Sequence, residues 1–481
     1  MDLNDPNTIA AATAITIVAG TLAIVEFVWK PIRGFFHRGD SPPATKADTD
    51  AIAQQIKELE GKVSRGSEYL DGLPDAVNQK LKAAYQEARL LQLEGYQAQS
   101  AEKHREGIDR FTRALALAEN DSQRAALDNL RGNSYYSISA YGEAEADYQE
   151  ILKLAHRISP VEDAAQARAI ALGNLALVYR QRGELDRAEE HHNQALKIDK
   201  DIGDHLGEAS QLGSLGNVYY LRSELEKAEE HYKQALDIHR EMGHRLSEAN
   251  QLGNLGNVYR QRGGPGDLDE AEKHHQQALD IHRQIGDRLG EASQLGNLGL
   301  VYLQRGDLDK AQEQLNRAVK TARQIGNRLV EAQHLGNLAL VYQQRGDLDQ
   351  AEEHHNEALE IDKEIGYRLG EANQLSNLGN IYAKRGGPDN LDKADDLHKQ
   401  ALKIYREIGD RLGEARQLSN LGLVCLLRGE LGKAKDRFQQ AQAIYRQIGA
   451  GGEGPEIVRR ALEDLERRER EGEEEEQQSE G

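Results

Sequence analysis

The sequence predicts an all-α fold, a right-handed α-solenoid of about nine helix-turn-helix repeats preceded by one transmembrane helix. Three observations lead to this fold class. A segment of about 40 residues recurs from residue 161 onward, glycines occupy fixed places within it, and residues 8–29 carry a single charge. A period near 40 residues is typical of stacked pairs of helices.

The composition excludes several classes of protein. The chain has 481 residues and a net charge of −20, which disfavours a nucleic-acid partner because neutralising phosphates requires clustered Lys and Arg. It has one cysteine, so neither a disulfide scaffold nor a zinc site with several cysteines is expected.

The N-terminal segment, residues 1–31, is interpreted as a membrane anchor. Residues 8–29 are long enough as a helix to cross a hydrocarbon core of about 30 Å. A cleaved signal peptide and a buried helix are the alternatives, and the acidic Asp2 and Asp5 argue against the signal peptide. Since Lys30 and Arg33 follow the segment, we expect a single-pass protein of the cell (inner) membrane with its repeats in the cytoplasm. Inverted topology is the alternative.

Residues 32–73 read as a linker that contains a short amphipathic helix. Ile52, Ile56, Leu59 and Val63 recur at spacings of three and four residues. This pattern fits one amphipathic helix, or a short coiled coil that would make residues 52–63 a homo-oligomer contact.

The repeats occupy most of the remaining chain. One tyrosine position recurs at 40- or 43-residue steps, at Tyr179, Tyr219, Tyr259, Tyr302, Tyr342 and Tyr382, with Cys425 in the last unit. Both 43-residue steps contain an inserted turn, near Pro265 and near Pro388. We assign seven units to residues 161–449 and two divergent units to residues 74–160. Residues 450–481 are expected to hold a capping helix and a disordered acidic tail.

Each unit reads as two helices punctuated by glycine. The first helix ends near a glycine such as Gly183, and the second ends near one such as Gly203. Ala188, His192 and Ala195 share one face of the second helix, where small residues allow close approach of neighbouring helices.

The pattern resembles the tetratricopeptide repeat family. Leu-Gly and then Tyr in the first helix, followed by Ala, an aromatic residue or His, and Ala in the second, match that family over roughly residues 84–449. The recurring Leu172-Gly173-Asn174 triplet is similar to the 40-residue Leu-Gly-Asn subclass, close to kinesin light chains. The resemblance implies a concave groove lined by the first helices, which binds a peptide segment of a protein partner.

The expected groove residues are the asparagines that recur on one face of the first helix. Asparagine can donate and accept a hydrogen bond at once, as recognition of a peptide backbone requires. The alternative is that these side chains only bridge neighbouring repeats. With two arginines on the same face, the expected groove residues are Asn174, Asn217, Asn254, Asn257, Asn297, Asn337, Asn377, Asn380, Asn420, Arg180 and Arg260.

We expect neither a metal nor a cofactor. In His191-His192, His274-His275 and His354-His355 the two rings point about 100° apart on a helix, which does not suit a shared metal. One histidine of each pair occupies the core position held elsewhere by Tyr148 and Tyr232. No nucleotide-binding or nucleophile motif occurs, so the chain is not expected to be an enzyme.

The predicted function is that of a membrane-anchored adaptor or scaffold that binds a peptide segment of a protein, with the lipid bilayer contacted through residues 8–29. Two alternatives remain. One is a structural oligomeric assembly protein without a peptide ligand, and the other is a regulatory subunit of an unidentified effector.

Overall fold

A computed structural model describes residues 87–92, 101–448 and 453–479, and within these ranges the chain forms helices and turns without a β-strand. Residues 87–92 are helical. Eighteen further helices follow in these ranges. They are α1 (Ala101–Leu115), α2 (Asp121–Ser137), α3 (Tyr141–Ala155), α4 (Val161–Gln181), α5 (Leu185–Ile202), α6 (His205–Leu221), α7 (Leu225–Glu241), α8 (Arg245–Arg262), α9 (Asp267–Gln284), α10 (Arg288–Arg305), α11 (Leu308–Gln324), α12 (Arg328–Arg345), α13 (Leu348–Glu364), α14 (Arg368–Arg385), α15 (Pro388–Ile408), α16 (Arg411–Leu427), α17 (Leu431–Gln447) and α18 (Glu453–Ser479).

The helices pair into hairpins, as the repeat period predicts. The hairpins run from α2–α3 to α16–α17, and α1 packs against residues 87–92 through Phe111 and Ala88. The turn inside a hairpin needs a left-handed residue, which is Gly183 (φ 76°) after α4 and Ser223 (φ 60°) after α6. Glycine adopts this conformation without a Cβ clash, whereas serine does so at some cost. The inserted turns lie where expected, between α8 and α9 and before Pro388.

The core of each hairpin is a contact between a glycine or alanine and a large side chain. A Cβ on Gly216 would lie 2.6 Å from the ring of Tyr232, and one on Gly256 would lie 2.6 Å from His275. Since the ring fills the space that a side chain would need, small residues at this position let the two helices come close together. This confirms the predicted core position of the second helix.

Neighbouring repeats are joined by polar contacts as well as by apolar packing. In several repeats the recurring tyrosine donates to a carboxylate on the second helix of the preceding repeat. The hydroxyl of Tyr259 lies 2.7 Å from Glu229, which also pairs with Arg262 at 2.8 Å. Tyr219 and Glu189 form the same contact at 2.6 Å. The period of the tyrosines therefore marks the boundaries between repeats.

The chain divides into two compact units, with the division between Gln294 and Leu295 inside α10. In both units the first helices of consecutive repeats contact one another, as α4 does with α2 and α6, and α14 with α12 and α16. Among the described helices, no two second helices make contacts of this extent. Each unit therefore has its more closely packed, inner side along the first helices.

The C-terminal helix caps the second unit and is longer than expected. Val458, Leu462 and Leu465 of α18 are buried in a cluster with Phe438 and Tyr445 of α17. Where the sequence predicts disorder for the acidic tail, the helix continues to Ser479. Glu and Gln are good helix formers, which accounts for this continuation.

The predicted fold class needs a correction. The all-α hairpin stack is found, but none of the helices in the described part of the chain is long and apolar enough to cross a bilayer. A bilayer-spanning helix needs about 20 predominantly apolar residues, whereas these helices are amphipathic and carry charges. The transmembrane helix is thus not part of the fold that the structure describes. Residues 8–29, on which it rested, and the predicted oligomer contact at 52–63 both lie outside the described residues.

Candidate functional site

The inner side of each unit carries the asparagines that the sequence singles out. They occupy two positions of the first helix, three residues apart, so that they lie on one face. In the seven regular repeats these two positions hold only Asn, Ser or Leu. The centre of this face is therefore uncharged, although 30% of the residues of the chain are charged.

In the first unit three of these asparagines are hydrogen-bonded within the protein. Nδ2 of Asn174 donates to Oδ1 of Asn129 at 2.7 Å, and Oδ1 of Asn217 accepts from the hydroxyl of Tyr232 at 2.7 Å. Nδ2 of Asn254 lies 3.5 Å from Oε1 of Gln251. At these positions the structure shows hydrogen bonds within and between repeats. Such bonds are the alternative that the sequence left open to contact with a peptide in the groove.

The other asparagines differ from these three. Within the described part of the chain, their side chains form no hydrogen bond; these residues are Asn257, Asn297, Asn337, Asn377, Asn380 and Asn420. Asn297, Asn337, Asn380 and Asn420 are partly exposed, whereas Asn257 and Asn377 are 8% and 6% exposed. A row of amide groups on the inner side is thus left with its hydrogen-bonding capacity available.

The two predicted arginines lie deeper than expected. Arg180 is 9% and Arg260 is 4% exposed, and Tyr220 occupies the equivalent position of the repeat between them. The guanidinium of Arg180 acts electrostatically on the hydroxyl of Tyr232, and that of Arg260 acts on Tyr220. The structure therefore gathers two arginines and two tyrosines in the first unit. Tyr232 was assigned only to the core by the sequence pattern.

The paired histidines serve packing. His192, His275 and His355 are at most 1% exposed, and Nδ1 of each lies 2.8–2.9 Å from Oε1 of a glutamine in the next repeat. Burial lowers the pKa of His192 and His275 to about 3 and that of His355 to about 4, so these rings are neutral near pH 7. Among the described residues no group of three or more His, Cys, Asp or Glu side chains is placed to hold a metal ion.

The first histidine of each pair is only partly exposed. The ring of His191 lies 5.0 Å from that of Tyr179, and the ring of His274 stacks on Tyr259 at 5.3 Å. These rings cover the tyrosines that join one repeat to the next.

A cleft on the second helices is a further concave feature of the second unit. It has a volume of about 420 Å³ between α15 and α17, and its lining includes Lys399, Lys403, Arg406 and Arg437. Lys399 already pairs with Asp395 at 2.5 Å, and Arg406 pairs with Glu414 at 2.8 Å. Because its basic side chains are largely neutralised by neighbours, we place the candidate site on the inner face instead.

A stack of helical hairpins with one recurring inner face defines a helical-repeat protein. The tetratricopeptide repeat family matches residues 123–201, 167–241, 208–265, 247–324, 330–390 and 389–447. These segments make up more than half of the chain, which therefore belongs to the tetratricopeptide repeat family. Members of this family act as protein-binding scaffolds or adaptors, so the coarse function expected from the sequence holds. The finer similarity to the Leu-Gly-Asn and kinesin-light-chain subclass stays a prediction.

Several solved structures are similar to this chain. The STAND signal-transduction ATPase with a tetratricopeptide repeat sensor from Pyrococcus horikoshii is 20% identical, with a TM-score of 0.50 over 78% of this chain and 54% of that one. The chain thus spans about half the length of that protein. A Rap protein complexed with competence and sporulation factor is 14% identical, with a TM-score of 0.49 over 89% and 100%. Aspartyl phosphate phosphatase F from Bacillus subtilis is 14% identical, with a TM-score of 0.48 over 79% and 97%. No curated protein sequence matches significantly.

Proposed function

We propose that the chain is a non-enzymatic adaptor that binds an extended peptide segment of a protein partner along the inner face of its repeats. The observation that carries the proposal is the row of asparagines without a hydrogen-bond partner in the described part of the chain. Amide groups on a partly buried face need partners, and a peptide bond offers one donor and one acceptor to each.

The second unit offers this row most clearly. Asn297, Asn337 and Asn377 occupy the same position in three consecutive repeats and form no hydrogen bond with the residues described. Leu300 and Leu340, partly exposed, lie three residues further along two of these helices. Alternating amide and apolar groups suit a segment that uses its backbone for hydrogen bonds and its apolar side chains for specificity.

The test uses the full chain and two random 12-residue peptide libraries, one displayed through the N terminus and one through the C terminus. Peptides enriched on the wild type are synthesised, and their affinity is measured by fluorescence anisotropy. We expect the triple variant Asn297→Ala, Asn337→Ala, Asn377→Ala to lose at least about tenfold in affinity, since each bond to an uncharged group contributes about 1 kcal/mol.

The matched control replaces three exposed asparagines on the second helices, Asn193→Ala, Asn316→Ala and Asn356→Ala. This variant has the same chemistry on the opposite side of the hairpins and should bind as the wild type does. Circular dichroism should show equal helix content in all three proteins. Equal affinity of the two triple variants would reject the inner face as the binding site.

A further inference from the structure

Two aspartates, Asp199 and Asp204, face each other at the turn between the second helix α5 and the first helix α6. A Cβ placed on Gly207 would lie 2.7 Å from Cγ and 2.8 Å from Oδ2 of Asp199, and 2.7 Å from Oδ2 of Asp204. Both carboxyl groups therefore occupy the space that a side chain at Gly207 would need. The charge of Asp204 acts on Asp199, as expected of neighbouring groups. Asp199 and Asp204 are called the carboxyl pair below.

The two members of the carboxyl pair have different surroundings. Asp204 is partly exposed and is the N-cap of α6, because its Oδ1 accepts a hydrogen bond from the backbone N–H of Gly207 at 2.8 Å. Asp199 is only 2% exposed, and its Oδ2 has no hydrogen-bond partner in the described part of the chain. Since buried polar atoms almost always have a partner, the environment of Asp199 needs an explanation.

No cation accounts for the burial of Asp199. Besides Asp204, the groups that act on its carboxyl are Gln211 and Glu208, both on α6; among the described residues no basic side chain does, and no charged group of α4 does. Lys200 and His205 lie at the same turn, but they are 3.5 and 3.6 Å from Glu208. An ionised Asp199 would thus be a buried negative charge beside further negative charges, which is strongly unfavourable.

The equivalent residues of the following repeats indicate what the first position of the pair does. There the two positions hold His239 and His244, His282 and Asp287, Ala322 and Asn327, Asp362 and Tyr367, and Tyr405 and Asp410. Among all these pairs only Asp199 and Asp204 are both carboxyl groups. In one of the others, Nδ1 of His282 lies 2.8 Å from Oδ2 of Asp287, so a nitrogen that binds a proton faces the carboxylate. An aspartate at the first position presents a proton in the same way only when its carboxyl is protonated.

We propose that Asp199 and Asp204 share one proton in the folded chain, and that release of this proton to the solvent opens the turn between α5 and α6. A protonated carboxyl donates a short, charge-assisted hydrogen bond to an ionised one, whereas two ionised carboxylates side by side repel each other. The carboxyl pair is therefore a pH-sensitive contact at one repeat boundary of the first unit. It lies at an outer turn and is independent of the proposed peptide binding.

The direction of the response follows from the burial of Asp199. Burial, and then the charge of Asp204, raise the pKa of Asp199 to about 7. The unfolded chain releases the same proton above about pH 4, so the contact stabilises the turn most below about pH 4 and loses this effect as the pH rises to about 7. Because Asp204 is the more exposed member, repulsion moves it towards the solvent, and the cap at the start of α6 is lost.

Hydrogen–deuterium exchange of the full chain tests this response. Protection of the amides in residues 200–210, corrected for the intrinsic exchange rate, should fall at least about tenfold in the wild type between about pH 5.5 and about pH 8.5. In Asp199→Asn the amide donates to Asp204 at both pH values, so the change should be less than about twofold. The matched control is Asp201→Asn, an exposed position on the same helix, which should respond as the wild type does. An equal fall in Asp199→Asn and the wild type would overturn the proposal.

The variant Asp204→Asn decides whether the proton is shared. Asparagine is also a good N-cap, so α6 keeps its cap, while the like charge is gone and the new amide donates to Asp199. The fall in protection should be at least about threefold smaller than in the wild type. Lys200, His205 and Glu208 are common to all these proteins, so their titration cancels in the comparison. A fall as large as that of the wild type would show that burial of Asp199 acts alone, and the shared proton would be rejected.

Two further measurements examine the proton itself. The infrared difference spectrum between the wild type and Asp199→Asn should show a protonated-carboxyl band at the lower pH, and its absence would contradict the proposal even if the exchange results agreed. The exchange buffers contain a chelator, and the experiment is repeated with Ca²⁺ and with Mg²⁺. If either ion restored the protection of the wild type at the higher pH but not that of Asp204→Asn, the carboxyl pair would bind a cation instead of sharing a proton.

Discussion

Nδ1 of His355 lies 2.8 Å from Oε1 of Gln374, across the boundary between two consecutive repeats. The same glutamine packs on the preceding first helix, where a Cβ on Gly336 would lie 3.2 Å from its Nε2. Equivalent bonds join His192 to Gln211, His275 to Gln294 and His398 to Gln417, at 2.9, 2.9 and 3.0 Å. At these boundaries a buried hydrogen bond therefore joins neighbouring repeats in addition to apolar packing.

Replacing Gln374 by Leu should destabilise the second unit by about 1–3 kcal/mol. Leucine has a similar shape but no hydrogen-bonding group, so the buried imidazole of His355 would lose its hydrogen bond. Urea unfolding followed by circular dichroism measures the loss. The control is Gln344→Leu, an exposed position on the preceding first helix, for which we expect a change within about 0.5 kcal/mol. Equal effects in the two variants would show that the bond contributes nothing.

A pair of glycine variants tests the close packing within a hairpin. A Cβ on Gly379 would lie 2.6 Å from the ring of His398, so Gly379→Ala should destabilise the protein by about 1–3 kcal/mol. Nothing lies within 4 Å of a Cβ on Gly432, which is also helical, so Gly432→Ala should stabilise it by about 0.5–1 kcal/mol. Thermal unfolding checks both, and opposite signs are the expected result.

A buried carboxylate held between two arginines should contribute more to the stability of the protein than an exposed carboxylate does. Glu331 is 3% exposed, and its two oxygens accept from Arg323 and Arg328, each at 2.7 Å. Glu331→Gln should therefore cost about 1–3 kcal/mol. Glu313, 65% exposed and 3.7 Å from Arg317, is the comparison, and Glu313→Gln should change stability by less than about 0.5 kcal/mol. A similar loss in both variants would contradict this ranking.

Asp362 predicts a dependence of stability on pH. It is 1% exposed, and burial raises its pKa to about 7. The folded chain therefore keeps a proton that the unfolded chain releases above about pH 4, and stability falls as the pH rises from there to about 7. The variant Asp362→Asn has no carboxyl at this position, so its stability does not fall in this way. Its free energy of unfolding relative to the wild type should therefore increase between pH 4 and pH 7, by at most about 4 kcal/mol.

The comparison is made by thermal unfolding at several pH values. The buried histidines titrate in the same range, with the opposite sign, but they are common to both proteins and cancel in the difference. Asp436→Asn makes the same substitution at an exposed position and is the control. A difference between Asp362→Asn and the wild type that does not change with pH would show that burial does not perturb this carboxyl.

The repeat pattern was sufficient to predict the hairpins, because each residue type in it has a local cause. Glycine at Gly183 permits a left-handed turn, and alanine or glycine beside a ring permits close helices. The positions of Tyr148, His192 and Tyr232 in the core followed from the same pattern. Cys425, which takes the place of the recurring tyrosine in the last unit, is buried, and that burial raises the pKa of its thiol.

The contacts between repeats were not predicted, although their residues recur. Gln374 is 19 residues from His355, and no spacing within one helix indicates that the two meet. The asparagines at equivalent positions look alike in the sequence, yet Asn217 accepts a hydrogen bond from Tyr232 whereas Asn257 has no partner among the described residues. The second helix of the repeat carries a tyrosine with a hydroxyl in the first case and His275 at the same position in the other.

The environment of Arg180 was also beyond the sequence. An arginine on a helix face is usually solvated or paired, whereas Arg180 is 9% exposed. A usable signal was present all the same: the two arginines interrupt the periodicity, since later repeats have Leu303 and Ala383 at this position.

The glutamine that rests on a glycine of the preceding repeat has a consequence for how such an array can change. At one boundary Gly296 faces His334 in place of glutamine, and at another Ser376 accepts a hydrogen bond from Gln417 at 2.8 Å. Each repeat is thus fitted to its own successor. Exchanging two repeats, or deleting one, would join surfaces that never met before, so the order of the repeats is itself an inherited property of this protein.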